Sequence, residues 1–136
     1  LKAVWTGAQA AGNIMKDNGG GSIINISSQA ANRASPHNGP YAVAKSGVNN
    51  LTQTLATEMG PLGIRVNTVS PGPIPTEVFL EFTGMTEDDI PNMGKQFGVP
   101  LGRIGMPEDI APACVYLASP ASSWMTGQDI TINGGL

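Results

Sequence analysis

The sequence predicts an α/β protein with a parallel sheet, and three observations carry that prediction. Helix-length segments alternate with short apolar strands, in the order helix, strand, helix, strand, irregular segment, helix, strand. Helix-length crossovers between strands imply parallel pairing with right-handed connections. Ile23, Ile24 and Ile26 of the first strand do not alternate cleanly with polar residues, as expected where both faces of a sheet are covered. The longest helical run carries Val48, Leu51, Leu55 and Met59 at i, i+3, i+7 and i+11, one apolar stripe for a sheet to bury.

The elements follow in order. Leu1 to Asn18 reads as a helix already in progress, with no cap at its start. Asn18-Gly19-Gly20-Gly21 suits helix termination and a tight turn. A strand over 22–27 follows, and then a small, polar loop over 28–39. Pro40 fits the first turn of the next helix, which runs to Met59 and stops at Gly60-Pro61. A second strand over 64–70 leads into Pro71-Gly72-Pro73. Residues 76–105 are the least regular and hold five of the ten acidic residues, Glu77, Glu81, Glu87, Asp88 and Asp89. A solvated surface explains those charges. The segment also leaves the end of a parallel strand, where α/β proteins place ligands, which makes it a candidate lid. Pro107-Glu108-Asp109 opens a helix to Ala118, with Pro112 expected to bend it or remove a hydrogen bond. A turn around 122–125 precedes the last strand, 129–133. Trp5 and Trp124 are expected to pack.

Composition narrows the function classes. The 136 residues suffice for one small core. A net charge of −3 with seven scattered basic residues gives no nucleic-acid surface. No apolar run reaches the length of a membrane span. Cys114, the only cysteine, falls in an apolar helical run and reads as a buried thiol; with one histidine beside it, no zinc cluster is expected. Two glycosylation sequons, at Asn25 and Asn50, fall inside a strand and a helix and read as chance in a cytoplasmic protein.

The chemistry-bearing pattern is Tyr41-Ala-Val-Ala-Lys45, with Ser28 thirteen residues upstream of the tyrosine. Positions i and i+4 share one helix face. An ammonium beside a phenol favours the phenolate, whose ordinary pKa is about 10. Moving it toward neutrality takes about three units, roughly 4 kcal/mol. A lysine, the positive end of a helix and a cationic cofactor together could supply that.

Six blocks in order resemble the carboxy-terminal half of the short-chain dehydrogenase/reductase family. They are Ile26-Ser27-Ser28; Tyr41 to Lys45; Arg65-Val66-Asn67 leading to Ser70-Pro71-Gly72 and Thr76; Gly102 to Ala111; Leu117 to Pro120; and Thr126-Gly127-Gln128 with Asn133-Gly134-Gly135. The resemblance covers essentially the whole chain. It implies a Rossmann-like doubly wound parallel sheet of which this is the second half, three parallel strands with flanking helices, the first half being absent. Residues 1–136 would then be the C-terminal part of one dinucleotide-binding domain, with 76–105 as its substrate lid. The family's glycine-rich fingerprint is expected upstream of Leu1, as is an asparagine, its fourth catalytic residue, immediately before Leu1. Gly19-Gly20-Gly21 precedes a strand and lacks the strand–turn–helix context of a phosphate loop.

By that resemblance Tyr41 is the general acid/base, Lys45 lowers its pKa and binds the nicotinamide ribose, and Ser28 hydrogen-bonds the substrate oxygen. Ser27 is the near miss, read as a turn cap. Pro71, Gly72, Ile74 and Thr76, with Tyr41 and Lys45, are the expected cofactor contacts, Gly72 allowing close backbone approach. Asn25 and Asn67 read as structural. His37 lies in the loop before Tyr41, where a lone histidine is more often simply exposed. The implied function is an NAD- or NADP-dependent oxidoreductase interconverting a carbonyl and a secondary alcohol, acting on a small ketone or alcohol. No nucleic-acid or membrane partner is implied. Family members pair the first two helices, whose small residues include Gly7, Ala8 and Gly47, so a homodimer or homotetramer is expected of the full-length parent. Local likenesses point to hydroxysteroid dehydrogenases, β-ketoacyl carrier-protein reductases and dienoyl-CoA reductases without choosing a substrate. The alternative is a non-catalytic fragment or oligomerisation module lacking the cofactor's phosphate site.

Overall fold

The computed structural model describes residues 1–34 and 36–136. Helix α1 spans Lys2–Met15, strand β1 Gly21–Ile26, helix α2 Gly39–Met59 and strand β2 Ile64–Pro71. Two short helices, α3 at Glu77–Thr83 and α4 at Ile90–Gln96, lie in the segment read as irregular. Helix α5 covers Pro107–Ala118 and strand β3 Asp129–Ile132. The sheet has the order β1-β2-β3, and both pairs are parallel. Ile23 sits opposite Val66 and Thr68 opposite Asp129, which fixes the register.

The alternating faces of the sheet have different partners. On one, Ala8 of α1 and Leu55 and Ala56 of α2 pack with Ile64 and Val66 of β2, joined by Ile23, Leu51, Met15 and Met59. Ala8, expected at a subunit interface, is thus a core residue, 3% exposed. On the same face Asn25 donates to Thr52 Oγ1 at 2.8 Å, and Thr68 donates to the same oxygen at 2.8 Å. These buried groups can satisfy one another only in this register, so the polar chain ties α2 to both strands. On the other face Arg65 donates to the carbonyl of Leu117 at 2.7 Å, anchoring the end of α5. Asn67, fully buried, donates to Met125 O and accepts from Gln128 N, holding the turn before β3.

Termini of elements shifted where turn chemistry took over. Helix α1 stops at Met15 and tightens into a 3₁₀ turn over Lys16–Asn18. Gly19 and Gly20 follow at φ 84° and 97°. A Cβ on Gly20 would stand 2.3 Å from the Gly63 carbonyl oxygen, so this glycine run serves loop-to-loop contact. Strand β1 ends at Ile26, one residue before the predicted end, although Ser27 N still donates to Val69 O at 2.8 Å. Helix α5 passes through Pro112 unbroken. Trp124 does not pack: it is fully exposed, in the turn before β3. Its residue type argues for burial, but no described element lies across that turn.

Candidate active site

The C-terminal ends of β1 and β2 and the N-terminus of α2 open on a common cleft of about 850 Å³, faced by α3. Tyr41 is in the first turn of α2, behind Asn38 and Pro40, with about half its surface exposed. Lys45 follows one turn later, and its Nζ lies 5.7 Å from the centroid of the Tyr41 ring. That distance is within the range of a cation–π contact. Lys45 Nζ also donates to the carbonyl of Ile26 at 3.0 Å. The carbonyl at the end of β1 thus holds the ammonium beside the tyrosine. An ammonium has three donors, so two remain for other partners.

The two serines differ in environment. Ser27 is buried, and its hydroxyl donates to the Lys45 carbonyl at 3.1 Å. Ser28 lines the cleft, extended at φ −163°, ψ 151°, and opens a 3₁₀ turn. Its Oγ accepts from Ala30 N at 3.2 Å, which uses a lone pair and leaves the hydroxyl proton available. Pro71, Gly72, Ile74 and Thr76 line the same cleft. Thr76 caps α3 by accepting from Phe79 N at 3.3 Å.

Gly72 has a reason internal to the fold. A Cβ there would come within 2.7 Å of Asn133 Cα, so close packing against the residue after β3 already demands glycine. His37 does not line the cleft; it is exposed, with φ 66°. Sequence reasoning missed the opposite wall. Val78, Phe79 and Phe82 of α3, with Phe97 and with Ile110 and Ala111 of α5, make that side apolar. Phe79 and Phe97 pack with ring centroids 5.7 Å apart. The i, i+3 pair Phe79 and Phe82 was the available signal, within a helix too short to show a second period. The Ile26 carbonyl gave no signal, because backbone acceptors carry no residue-type signature.

Beside the cleft, the segment between β2 and α5 is joined to α5 through an ion pair. Arg103 meets Asp109 through two bonds, 2.6 and 2.7 Å. Asp109 also accepts from Met106 N at 2.8 Å, capping α5. The Arg103 guanidinium and that backbone donor lower the Asp109 pKa from 3.8 to about 2.

The whole chain, residues 1–136, matches the family model for enoyl-(acyl carrier protein) reductase. It is 45% identical over 116 residues to the 3-oxoacyl-(acyl-carrier-protein) reductase FabG of Chlamydia trachomatis, covering 85% of this chain and 45% of the relative. It superposes on a 7α-hydroxysteroid dehydrogenase complexed with NADH and 7-oxo glycochenodeoxycholic acid with a TM-score of 0.87. The identity is 34%, over 99% of this chain and 51% of the other. A gluconate 5-dehydrogenase from Burkholderia cenocepacia, in complex with NADP and tartrate, superposes with a TM-score of 0.89 and 33% identity, over 100% and 52% of the two chains. The chain spans about half the length of the curated relatives it matches. These similar proteins share an architecture while their names differ in substrate. Match, parallel sheet and motif order agree, and this chain belongs to the short-chain dehydrogenase/reductase family.

Proposed function

We propose that the protein is an NAD- or NADP-dependent oxidoreductase interconverting a carbonyl and a secondary alcohol, with Tyr41 as general acid/base. The observation that carries this reading is Lys45, fixed by the Ile26 carbonyl, with its ammonium 5.7 Å from the Tyr41 ring in a cleft shared with Ser28. In reduction, Ser28 donates a hydrogen bond to the substrate oxygen and stabilises its developing charge. Tyr41 then gives its proton to that oxygen, and the Lys45 ammonium favours the resulting phenolate. Oxidation reverses the proton's path.

The cleft fits the nicotinamide end of the cofactor: it has the volume, two unused lysine donors and an apolar lining from Pro71, Pro73 and Ile74. Tyr41, Lys45, Pro71, Gly72, Ile74 and Thr76 would hold that end, and the bound nicotinamide supplies or accepts the hydride. Relatives complexed with NADH and with NADP support the cofactor class. The apolar wall supports a substrate with a bulky apolar body. Among the described lining residues Lys45 is the only charged one, so a sugar acid has no second ionic partner. Exposed apolar side chains on the first two helices, Trp5 and Val43, support self-association of the full-length parent.

The test uses the full-length protein with a bicyclic apolar ketone and a keto sugar acid. Turnover of the apolar ketone should exceed that of the sugar acid. Tyr41→Phe should abolish turnover while leaving cofactor affinity nearly intact, because only the proton donor is lost. Near-normal kcat in Tyr41→Phe would remove the catalytic assignment.

A further inference from the structure

We propose that Asp129 is a positioning residue for Ser28, acting on the turn that carries the serine through Asn32. The proposal rests on Ser28 having the role given above.

Asp129 opens β3, far from Ser28 in sequence, yet its carboxylate joins three elements. Oδ1 accepts from Ser70 of β2 at 2.5 Å. Oδ2 accepts from Asn32 Nδ2 at 2.7 Å and from Asn49 Nδ2 of α2 at 2.9 Å. The two amides are also coupled, Asn49 Nδ2 donating to Asn32 Oδ1 at 3.0 Å. Asn49 thereby points its amino group at both acceptors, and its own Oδ1 is left buried with no partner. Turning that amide over would set its oxygen against the carboxylate. The orphaned oxygen is therefore the expected consequence of an arrangement organised around the Asp129 charge.

Asn32 is the far end of a single hydrogen-bonded turn that starts at Ser28. Within it Ala31 N donates to Ser28 O at 2.9 Å, and Asn32 N donates to Gln29 O at 3.0 Å. Other bonds hold the turn as well, and Asn32 Nδ2 itself also donates to Thr131 Oγ1 at 3.3 Å. Ser46 of α2 donates to Ala31 O at 2.8 Å, and Asn133 reaches the Gln29 side chain at 3.2 Å. The charge-assisted bond from Asn32 to Asp129 is the only ionic restraint on the turn among the described residues, and such bonds are the stronger ones. A hydroxyl that must meet a substrate oxygen loses rate when its support shifts by a fraction of an ångström.

The experiment is a set of double-mutant cycles in the full-length protein, with kcat, KM, cofactor affinity and melting temperature measured for each variant. Asp129→Ala and Asn32→Ala should each lower kcat about tenfold with cofactor affinity unchanged. In a Ser28→Ala background either change should add less than about twofold, because the group being positioned is already gone. Ser70→Ala removes the other arm of the same carboxylate and should leave kcat within about twofold of the parent. Equal losses with and without Ser28, or unchanged kcat in Asn32→Ala, would overturn the proposal. If Asp129→Ala does not fold, the Asn32→Ala cycle decides alone, since that residue is exposed and outside the sheet. Unchanged kcat in Ser28→Ala beside inactive Tyr41→Phe would overturn the positioning role and leave the oxidoreductase reading standing. Full turnover in Tyr41→Phe would instead remove that reading.

Discussion

Lys45 does two things from one position. Its ammonium is held by the Ile26 carbonyl at 3.0 Å and lies against the Tyr41 ring. Under the proposed function its remaining donors also reach the cofactor. Lys45→Ala is therefore expected to lower kcat by on the order of a hundredfold and to weaken cofactor binding as well. Steady-state kinetics and a cofactor fluorescence titration check the two effects separately; an effect on only one of them would assign Lys45 a single role. Gly72 poses a different question at the same scale. Its missing side chain is required by Asn133, which a Cβ would approach within 2.7 Å. Gly72→Ala should cost about 1–3 kcal/mol of stability in a urea melt, the range of overpacking changes. Unchanged stability with weakened cofactor binding would show that close approach of a ligand is the real constraint.

At the scale of elements, α5 and the segment that precedes it are joined by a small electrostatic clasp. Asp109 caps its helix through Met106 N and pairs with Arg103, in a setting where the two side chains are 32% and 60% exposed. Its folded-state pKa, about 2, lies below the ordinary 3.8. A depressed carboxylate pKa contributes stability above the unfolded value and loses it as pH falls through the folded one. The melting-temperature difference between the parent and Asp109→Asn should accordingly be constant from about pH 5 upward and shrink toward pH 2. Added salt should reduce it, since the pair is exposed. A difference that persists at pH 2 would mean that the cap geometry matters and the charge does not. The two short helices α3 and α4 are tied down differently. Gly94 of α4 lies so close to Arg103 that a Cβ would stand 2.4 Å from its Cα, and Met93 is fully buried. Helix α3 instead keeps Val78 and Phe82 about three-quarters exposed on the cleft side.

For the whole molecule, the sheet leaves β1 as an edge among the described residues, paired only with β2. Ile26 at its end is about half exposed. An apolar strand with free backbone groups invites pairing with another chain. Residues 1–136 expressed alone are expected to self-associate and to bind NADH too weakly to detect, because under the proposed function the contacts they supply reach only the nicotinamide end. Light scattering and a fluorescence titration test this. A soluble monomer that unfolds cooperatively and binds NADH at micromolar concentration would show a cofactor site other than the one described.

The sequence by itself determined the element order, the parallel sheet and the adjacency of Tyr41 and Lys45 at the cleft. Those features depend on local periodicity, on punctuation such as Gly60-Pro61, and on the i, i+4 spacing of Tyr41 and Lys45, which a helix converts directly into adjacency. Only the tertiary structure decided what depends on register between distant segments. The Ile26 carbonyl under Lys45, Asn133 against Gly72 and the Asp129 carboxylate under the Ser28 turn are such contacts. Helices α3 and α4 have seven residues each, too few for a repeating apolar pattern, so they were not legible either. Trp124 marks the same limit from the other side. Residue type argues for burial, but whether a surface lies opposite is a property of the assembled chain.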